Sequence, residues 1–538
     1  MIELHENIQT RGVLEGEAYL RSGVKLEPLV DRWYAWPHQL APAQQALNLA
    51  FRHLPTVRSF IAAPSVHAAA AADPTMYGGP FLDLPVDAVG AAETYLNTTL
   101  ARRSKALAFA TAFRAFDTVL QSANGFSLDE LRLQAPEQLR GLIELAYDLN
   151  HHPKMRLLEE MFEEDDMGHA GAQEIFLHHQ PDVERPFFLS TPRLGVGVDG
   201  MFVKGPFGSA VMNTLCASRQ SAVNLKELAA EGGWDATALA GFFSEERPGF
   251  AERYSGTGVR IRYFGHACLL IETGRVAILI DPTVANEANG TLPHLKIEDL
   301  PRQIDILFIS HGHQDHFHPE LLMQLRERVG MVIIPPHNHG EPADPSLIRM
   351  LRNLGYRAIK TLEPLESFDL LDGSITALPF SGEHCDLDVH SKHCALVELR
   401  GRRIGVFVDS DAIDIDVYRR LSPRLRDLDV LFVGMECFGA PLSWLYGPLV
   451  STPIPKRVDS SRRLSGANCS RARALVDLLR PNQVFVYAMG QEPWMRYLMG
   501  MNYTDDSIQI SESSEFLRWC RSEAISADRL YLHFEQEF

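Results

Sequence analysis

Four side chains able to bind a metal, His311, His313, Asp315 and His316, crowd into the string Ser310-His311-Gly312-His313-Gln314-Asp315-His316. The string follows the apolar run Ile304–Ile309, so a strand delivers the cluster into a loop. In extended chain, residues two apart project to the same side, which lets His311 and His313 close on one ion. Asp315 and His316 are neighbours and diverge, which suits a second ion a few ångströms away. Imidazole mixed with carboxylate fits zinc, iron, manganese or nickel rather than calcium or cuprous copper. His318, just beyond, is expected to support the ligands or to lie at the surface.

The elements that position this cluster belong to a chain of 538 residues, too long for one core and long enough for two domains. Its 46% apolar and 22% charged content is that of an ordinary globular protein. Uninterrupted apolar runs fall short of a membrane span. The start Met1-Ile2-Glu3-Leu4-His5-Glu6 is acidic and lacks the apolar core of a signal peptide. The 7 cysteines are scattered without a CxxC pair, which fits reduced thiols. A net charge of −18 argues against general nucleic-acid binding. Together these features predict a cytoplasmic enzyme.

Residues 1–250 read as a mainly helical α+β domain. Leu107, Ala110, Phe113, Phe116 and Leu120 recur at helical spacing and predict one buried face. A further helix is expected over Glu137–Leu149, and another from Pro153 toward the acidic Glu159–Asp166 cluster, which reads as a solvated helix end. The aromatic segment Trp33-Tyr34-Ala35-Trp36-Pro37-His38 reads as packing, or as a wall facing a substrate. Ser244–Gly258, with Pro248, Gly249, Gly256 and Gly258, marks the boundary. Residues 251–538 then turn β-rich. Strands are expected within Val259–Glu272 and Arg275–Asp281, then at Ile304–Ile309, Met331–Ile334, Ser374–Phe380, Cys394–Leu399, Arg403–Asp409, Asp429–Val433 and Gln483–Tyr487. Helices are expected at Pro319–Arg328, Pro345–Leu354 and Ser470–Leu479.

Strands mixed with helices, and HxHxDH at a strand end, resemble the metallo-β-lactamase fold, an αββα sandwich. The resemblance implies further ligands at later strand ends. After Ser374–Phe380 the family usually places a histidine; here Glu383 and His384 stand side by side, and either can serve. The bridging carboxylate of the family falls on Asp409. Its early strand-end aspartate, which orients a ligand histidine, falls on Asp281. The last family ligand is a histidine after the strand matching Gln483–Tyr487, but that strand runs into Ala488–Trp494, which lacks one. His533 lies in a later strand-like run, Leu530–Phe534.

A missing histidine and an available glutamate shift the set toward carboxylates, which suit iron. This pattern is similar to the di-iron β-hydroxylases of antibiotic biosynthesis, which join an N-terminal domain to a metallo-β-lactamase domain. That resemblance implies two iron ions (two zinc ions as the alternative) held by His311, His313, Asp315, His316, Glu383 and Asp409, with Glu383 and Asp409 as the catalytic carboxylates. It implies O2-dependent β-hydroxylation of an aminoacyl group tethered to a carrier-protein domain, with an external electron donor and a homodimeric enzyme. The N-terminal domain would serve dimerisation, or recognition of substrate or carrier. A basic segment holding Lys456, Arg457, Arg462, Arg463, Arg471 and Arg473 is a solvated loop or a docking site for an acidic carrier, with Arg462 and Arg463 at its centre. The competing readings are a binuclear zinc hydrolase of a thioester, lactone or phosphoester, which His384 as ligand would favour, and a non-catalytic binding protein with a structural metal.

Overall fold

The computed structural model describes residues 16–162, 166–285, 292–337 and 339–538; Met1–Glu6 lies outside them. The C-terminal half stacks two seven-stranded sheets. The first runs, edge to edge, through Ile359–Thr361, Val329–Ile334, Ile304–Phe308, Ala277–Ile280, Leu269–Glu272, Arg260–Tyr263 and Phe534–Glu537. The second runs through Ser367–Leu370, Gly373–Leu378, Cys394–Leu399, Arg402–Val406, Val430–Gly434, Gln483–Tyr487 and Ser526–Arg529.

Alternation of side chains explains the stacking. In the first sheet Leu269, Ile271, Ile278, Ile280, Ile306, Phe308 and Ile333 face the second sheet, in one core with Val397, Val406, Phe432 and Phe485. Their neighbours Leu270, Leu279, Leu307, Val332 and Ile334 face the other way, into a separate core. A strand buried on both faces must be apolar throughout, which is why these runs lack polar alternation. The outer face of the second sheet is covered by the helices Ile415–Leu421, Cys469–Leu479 and Ile508–Ser522 through Tyr418, Leu475, Val476 and Phe516.

The outer face of the first sheet is shared. Helices Pro319–Leu325 and Leu347–Asn353 cover part of it, and the N-terminal lobe covers the rest with Leu26, Ile175, Leu177, Val203, Met212 and Leu215. Those residues lie on a four-stranded antiparallel sheet (Trp33–Tyr34, Lys25–Val30, Gln173–His178, Gly200–Lys204) and the helix Ala210–Ala217. The lobe therefore mixes sheets with its helices. The expected helix face is realised on Ser104–Leu120, where Ala110, Phe113, Phe116 and Leu120 are buried and Leu107 is half-buried.

Two expectations fail there. Glu137–Leu149 is not a helix: Ile143–Tyr147 is a strand paired with Pro153–Leu157, and Pro153 opens that strand rather than a helix. The intervening turn is held by Asp148, whose Oδ1 accepts from the backbone N–H groups of Asn150 and His152, each at 2.8 Å. Leu145, Met155 and Leu157 then bury against the helix Ser104–Leu120, so tertiary burial overrides local helical periodicity. The Val259–Glu272 run is likewise two antiparallel strands, with a tight turn at Gly265-His266 between them.

Candidate metal centre

Every sequence-predicted site residue except Arg462 and Arg463 converges on one edge of the sandwich, where strands of both sheets end. Ile304–Phe308 leads to Ser310 and His311, Ala277–Ile280 to Asp281, Arg402–Val406 to Asp409, and Gly373–Leu378 to Glu383. The chain leaves these strands abruptly. Asp281, Val408, Ala488 and His266 all have φ between 42° and 52°, and the run Glu383 to Asp386 stays near 55°. Such values are uncommon for residues with a Cβ and worst for β-branched Val408; each costs roughly 1–3 kcal/mol and persists where the surroundings enforce it. The sharp exits aim Asp281, Glu383 and Asp409 across the sandwich edge at the histidine loop. Gly434 leaves room for one of them: a Cβ there would lie 2.3 Å from the Val408 carbonyl oxygen and 3.0 Å from Asp409 Oδ1.

The ligating atoms fall into two overlapping groups. In the first, His311 Nε2 and His313 Nδ1 face each other at 3.1 Å, and Glu383 Oε1 is 3.2 Å from His313 Nδ1. In the second, His316 Nε2 lies 2.9 Å from Asp409 Oδ2 and 3.5 Å from Asp315 Oδ2. Asp409 Oδ2 also stands 3.8 Å from His311 Nε2, so this one carboxylate reaches both groups. His311, His313, Glu383 and His384 have ligating atoms within 4.8 Å of one another, as do His311, His316 and Asp409. His384 contacts Glu383 through Nδ1 and stacks on His313, ring centroids 4.3 Å apart.

Asp281 sets the proton positions. Its Oδ2 accepts from Nδ1–H of His316 at 2.9 Å and from the Ser310 hydroxyl at 2.6 Å; its Oδ1 accepts from the Ser310 N–H at 2.7 Å. The Ser310 hydroxyl, its proton committed to Asp281, accepts in turn from His311 Nδ1–H at 2.9 Å. One carboxylate thus holds protons on the outward Nδ1 atoms of two histidines and turns both Nε2 atoms inward, where a metal ion can take the place of any proton they carry. On the far side His313 Nε2 meets the Tyr446 hydroxyl at 3.1 Å. His318 stays apart, buried, its Nε2 at 2.8 Å from the Tyr497 hydroxyl. His533 lies in the loop just before the edge strand Phe534–Glu537 and joins none of these groups.

Two residues escaped the sequence reading. His266, in the Gly265-His266 turn, places Nε2 3.0 Å from Asp315 Oδ2 and groups with Asp315 and His316. Glu436, just past Val430–Gly434, faces the same cavity as Asp409 and Glu383. A lone histidine and a glutamate in a Met-Glu-Cys context carry no spacing signal; only the rule that strand ends converge points to them.

The electrostatics call for cations. Burial works against charge on His316, yet Asp409 and Asp315 override it and push its pKa well above the ordinary value. Burial, reinforced by Asp315 and Glu383, raises Asp409, and Glu436 is driven well above the usual carboxylate range by burial together with Asp409, Asp315 and Glu383. Asp409 Oδ1 is buried without a hydrogen-bond partner, and His316 Nε2 and Glu383 Oε2 have only other members of the cluster beside them. Buried polar atoms left this way are costly. Inward-facing imidazole nitrogens beside orphaned carboxylate oxygens fit a pair of divalent ions.

A small cavity of about 30 Å³ opens on the cluster, walled by Phe188, Leu189, Trp444, Leu445, Leu498 and Met499. Tyr34 and Trp36 of the aromatic segment pack behind this wall, in the cluster holding Phe188 and Leu445. The segment is therefore packing around a substrate wall and does not itself line the cavity.

Comparison with known proteins identifies this assembly. A family described as the di-iron non-haem β-hydroxylase N-terminal domain matches residues 19–246, and a β-lactamase superfamily domain matches 260–396. The 4-amino-L-phenylalanyl-[CmlP-peptidyl-carrier-protein] 3-hydroxylase of Streptomyces venezuelae is 32% identical over 523 residues, which cover 95% of this chain and 98% of that protein. The chain belongs to the di-iron β-hydroxylases. The crystal structure of CmlA, a di-iron β-hydroxylase from Streptomyces venezuelae, superposes with a TM-score of 0.90 at 31% identity, covering 97% of this chain and 99% of that one. By contrast, a metal-dependent hydrolase of Pyrobaculum arsenaticum is similar over only 58 residues, 11% of this chain. As a di-iron β-hydroxylase the protein is an enzyme, and the zinc-hydrolase and binding-protein readings give way.

Proposed function

We propose that this β-hydroxylase uses two iron ions and O2 to hydroxylate the β-carbon of an aminoacyl group held as a thioester on a carrier-protein domain, in the assembly of a peptide-derived antibiotic. The observation that supports it most is the placement of Asp409 between two buried ligand groups, in a chain aligned almost end to end with a carrier-protein-dependent 3-hydroxylase. His311, His313 and Glu383 would hold one ion, Asp315 and His316 the other, with Asp409 shared. His384 would orient Glu383 and so act beside the ion rather than on it. Bound iron supplies reductive activation of O2, and the balance is a C–H bond and O2 converted, with two electrons and two protons, to C–OH and water.

The protein's own groups prepare that chemistry. Asp281 and Ser310 keep protons on the outward nitrogens of His311 and His316. Phe188, Leu189, Trp444 and Met499 wall the cavity over the carboxylate cluster with apolar surface, and a low local dielectric strengthens the charge interactions inside it. The space over the cluster, about 30 Å³, is narrow for an aminoacyl group, so these side chains are expected to shift when substrate arrives. Phe188 and Leu189 come from the N-terminal lobe, and this supports a division in which 1–250 reads the substrate or carrier and 251–538 carries the metals. An external electron donor, a homodimeric state and a cytoplasmic setting belong to the same proposal; among the described residues no helix is long and apolar enough to cross a membrane.

The basic segment is partly committed elsewhere. Arg462 Nε donates to the Cys385 carbonyl and Arg463 Nε to the Gly439 carbonyl, each at 2.7 Å, so both brace loops that follow Glu383 and Glu436. Carrier docking through this segment rests better on exposed Lys456 and Arg457, with Arg462 and Arg463 at its edge.

The experiment is a single turnover of the reduced enzyme under labelled O2, with carrier protein loaded with a series of aminoacyl groups. The expected product is a carrier-bound amino acid bearing one oxygen atom from O2 at the β-carbon, while free amino acids go unchanged. Thioester hydrolysis without oxygen incorporation would return the chain to the hydrolases.

A further inference from the structure

Away from the centre around Asp409, one other group of ligating side chains converges among the described residues: Glu160, His337 and His339. Their ligating atoms lie within 4.8 Å of one another, and the two imidazole rings are 4.1 Å apart between centroids. Ligands on one tetrahedral zinc, bonded at about 2.0–2.2 Å, stand roughly 3.4 Å from each other. Small side-chain rotations close the difference.

The backbone already holds the ligand-bearing segments together. Glu160 sits in the turn Glu159–Met161, which follows the hairpin strand Pro153–Leu157 of the N-terminal lobe. His337 and His339 follow the catalytic-domain strand Val329–Ile334 and the stiff pair Pro335-Pro336. Between them, Leu157 N–H donates to the Gly340 carbonyl at 2.8 Å. Gly340 has φ +90°, and a Cβ there would fall 2.0 Å from the Leu157 carbonyl oxygen, so only glycine permits this approach. A second tie lies alongside, from the Ser346 N–H to Glu159 Oε1 at 3.2 Å. These ties bring the two ligand-bearing segments close before an ion arrives, and preorganisation of this kind favours binding. Glu160 and His339 are exposed and His337 is half-buried, which leaves the group open to ions from solvent.

We propose that Glu160, His337 and His339 form a third metal site, separate from the catalytic pair. Two imidazoles and one carboxylate suit a divalent ion of borderline softness, zinc first among them, with solvent completing the tetrahedron. The bound ion clips the hairpin of the N-terminal lobe to the catalytic sandwich. It adds stability to the folded chain by mass action and takes no part in hydroxylation.

The test titrates zinc into the iron-loaded enzyme against a chromophoric chelator, with iron counted in the same samples. Wild type is expected to take up about one zinc per chain with its iron intact, and its unfolding midpoint is expected to rise by several degrees. The double variant His337→Ala, His339→Ala is expected to lose both effects while keeping its iron and its hydroxylation activity, which also shows that it folds. Glu160→Gln should weaken uptake alone. Cobalt in place of zinc should give the visible bands of a four-coordinate ion in wild type and not in the double variant. Zinc uptake matched by iron release, uptake undiminished in the double variant, or no uptake at all would overturn the site.

Discussion

Replacing Asp409 with asparagine should cost the protein both metal ions and with them its hydroxylation activity. Asp409 Oδ2 lies 2.9 Å from His316 Nε2 and 3.8 Å from His311 Nε2, and its Oδ1 has no hydrogen-bond partner. No other carboxylate in the cluster reaches both groups this closely. An amide keeps the shape but offers one acceptor atom in place of two and removes the negative charge that would face the two proposed cations. The loss should exceed the roughly 10–100-fold typical of a residue that only supports a ligand. Metal analysis and a turnover assay on purified protein check it. A variant that keeps both ions and more than a tenth of wild-type turnover would remove Asp409 from its bridging role.

Asp281→Asn should lower iron affinity, turnover or both by about 10–100-fold with the fold intact. Asp281 uses both oxygens as acceptors: Oδ1 from the Ser310 N–H, Oδ2 from the Ser310 hydroxyl and His316 Nδ1–H. Asparagine satisfies one side and must present N–H donors to the other. If the amide nitrogen faces His316, Nδ1 becomes an acceptor, the proton moves to Nε2, and Nε2 can no longer bind a metal. The Ser310 hydroxyl is disturbed too, and with it the tautomer of His311. The effect is therefore expected at both ions, although Asp281 touches neither. Asp281→Glu, which keeps the charge but lengthens the reach, should fare no better. Iron-binding titrations of the two variants distinguish a need for correctly placed acceptors from a simple loss of charge, since only the first predicts that both fail.

What could be read from the sequence divides along physical lines. HxHxDH was legible because its spacing is rigid and an apolar strand precedes it. Asp281 and Asp409 were legible because each directly follows an apolar strand run and falls, in chain order, where the resemblance places a strand-end aspartate. Glu383 and His384 could not be separated in sequence; in the structure the strained backbone from Glu383 to Asp386 brings both to the first group, and the short approach to His313 belongs to Glu383. His266 stayed hidden because its place depends on a turn splitting the Val259–Glu272 run, which periodicity alone reads as continuous. The Ile143–Tyr147 strand differs from the expected helix for a related reason. Its apolar residues fit a helical face as well as a strand, and the choice was made by Met155 and Leu157 across the hairpin and by the helix beneath. The shared core between the N-terminal lobe and the first sheet is a property of assembled surfaces and leaves no local mark.

The central claim is that two iron ions share Asp409 in the folded enzyme. The most direct measurement is metal content together with Mössbauer and near-UV/visible spectra, on protein made with both iron and zinc available. The account predicts about two irons per chain, magnetically coupled through their bridge, with an oxo-iron band that bleaches on reduction. Two zincs and no colour, or one uncoupled iron, would contradict it.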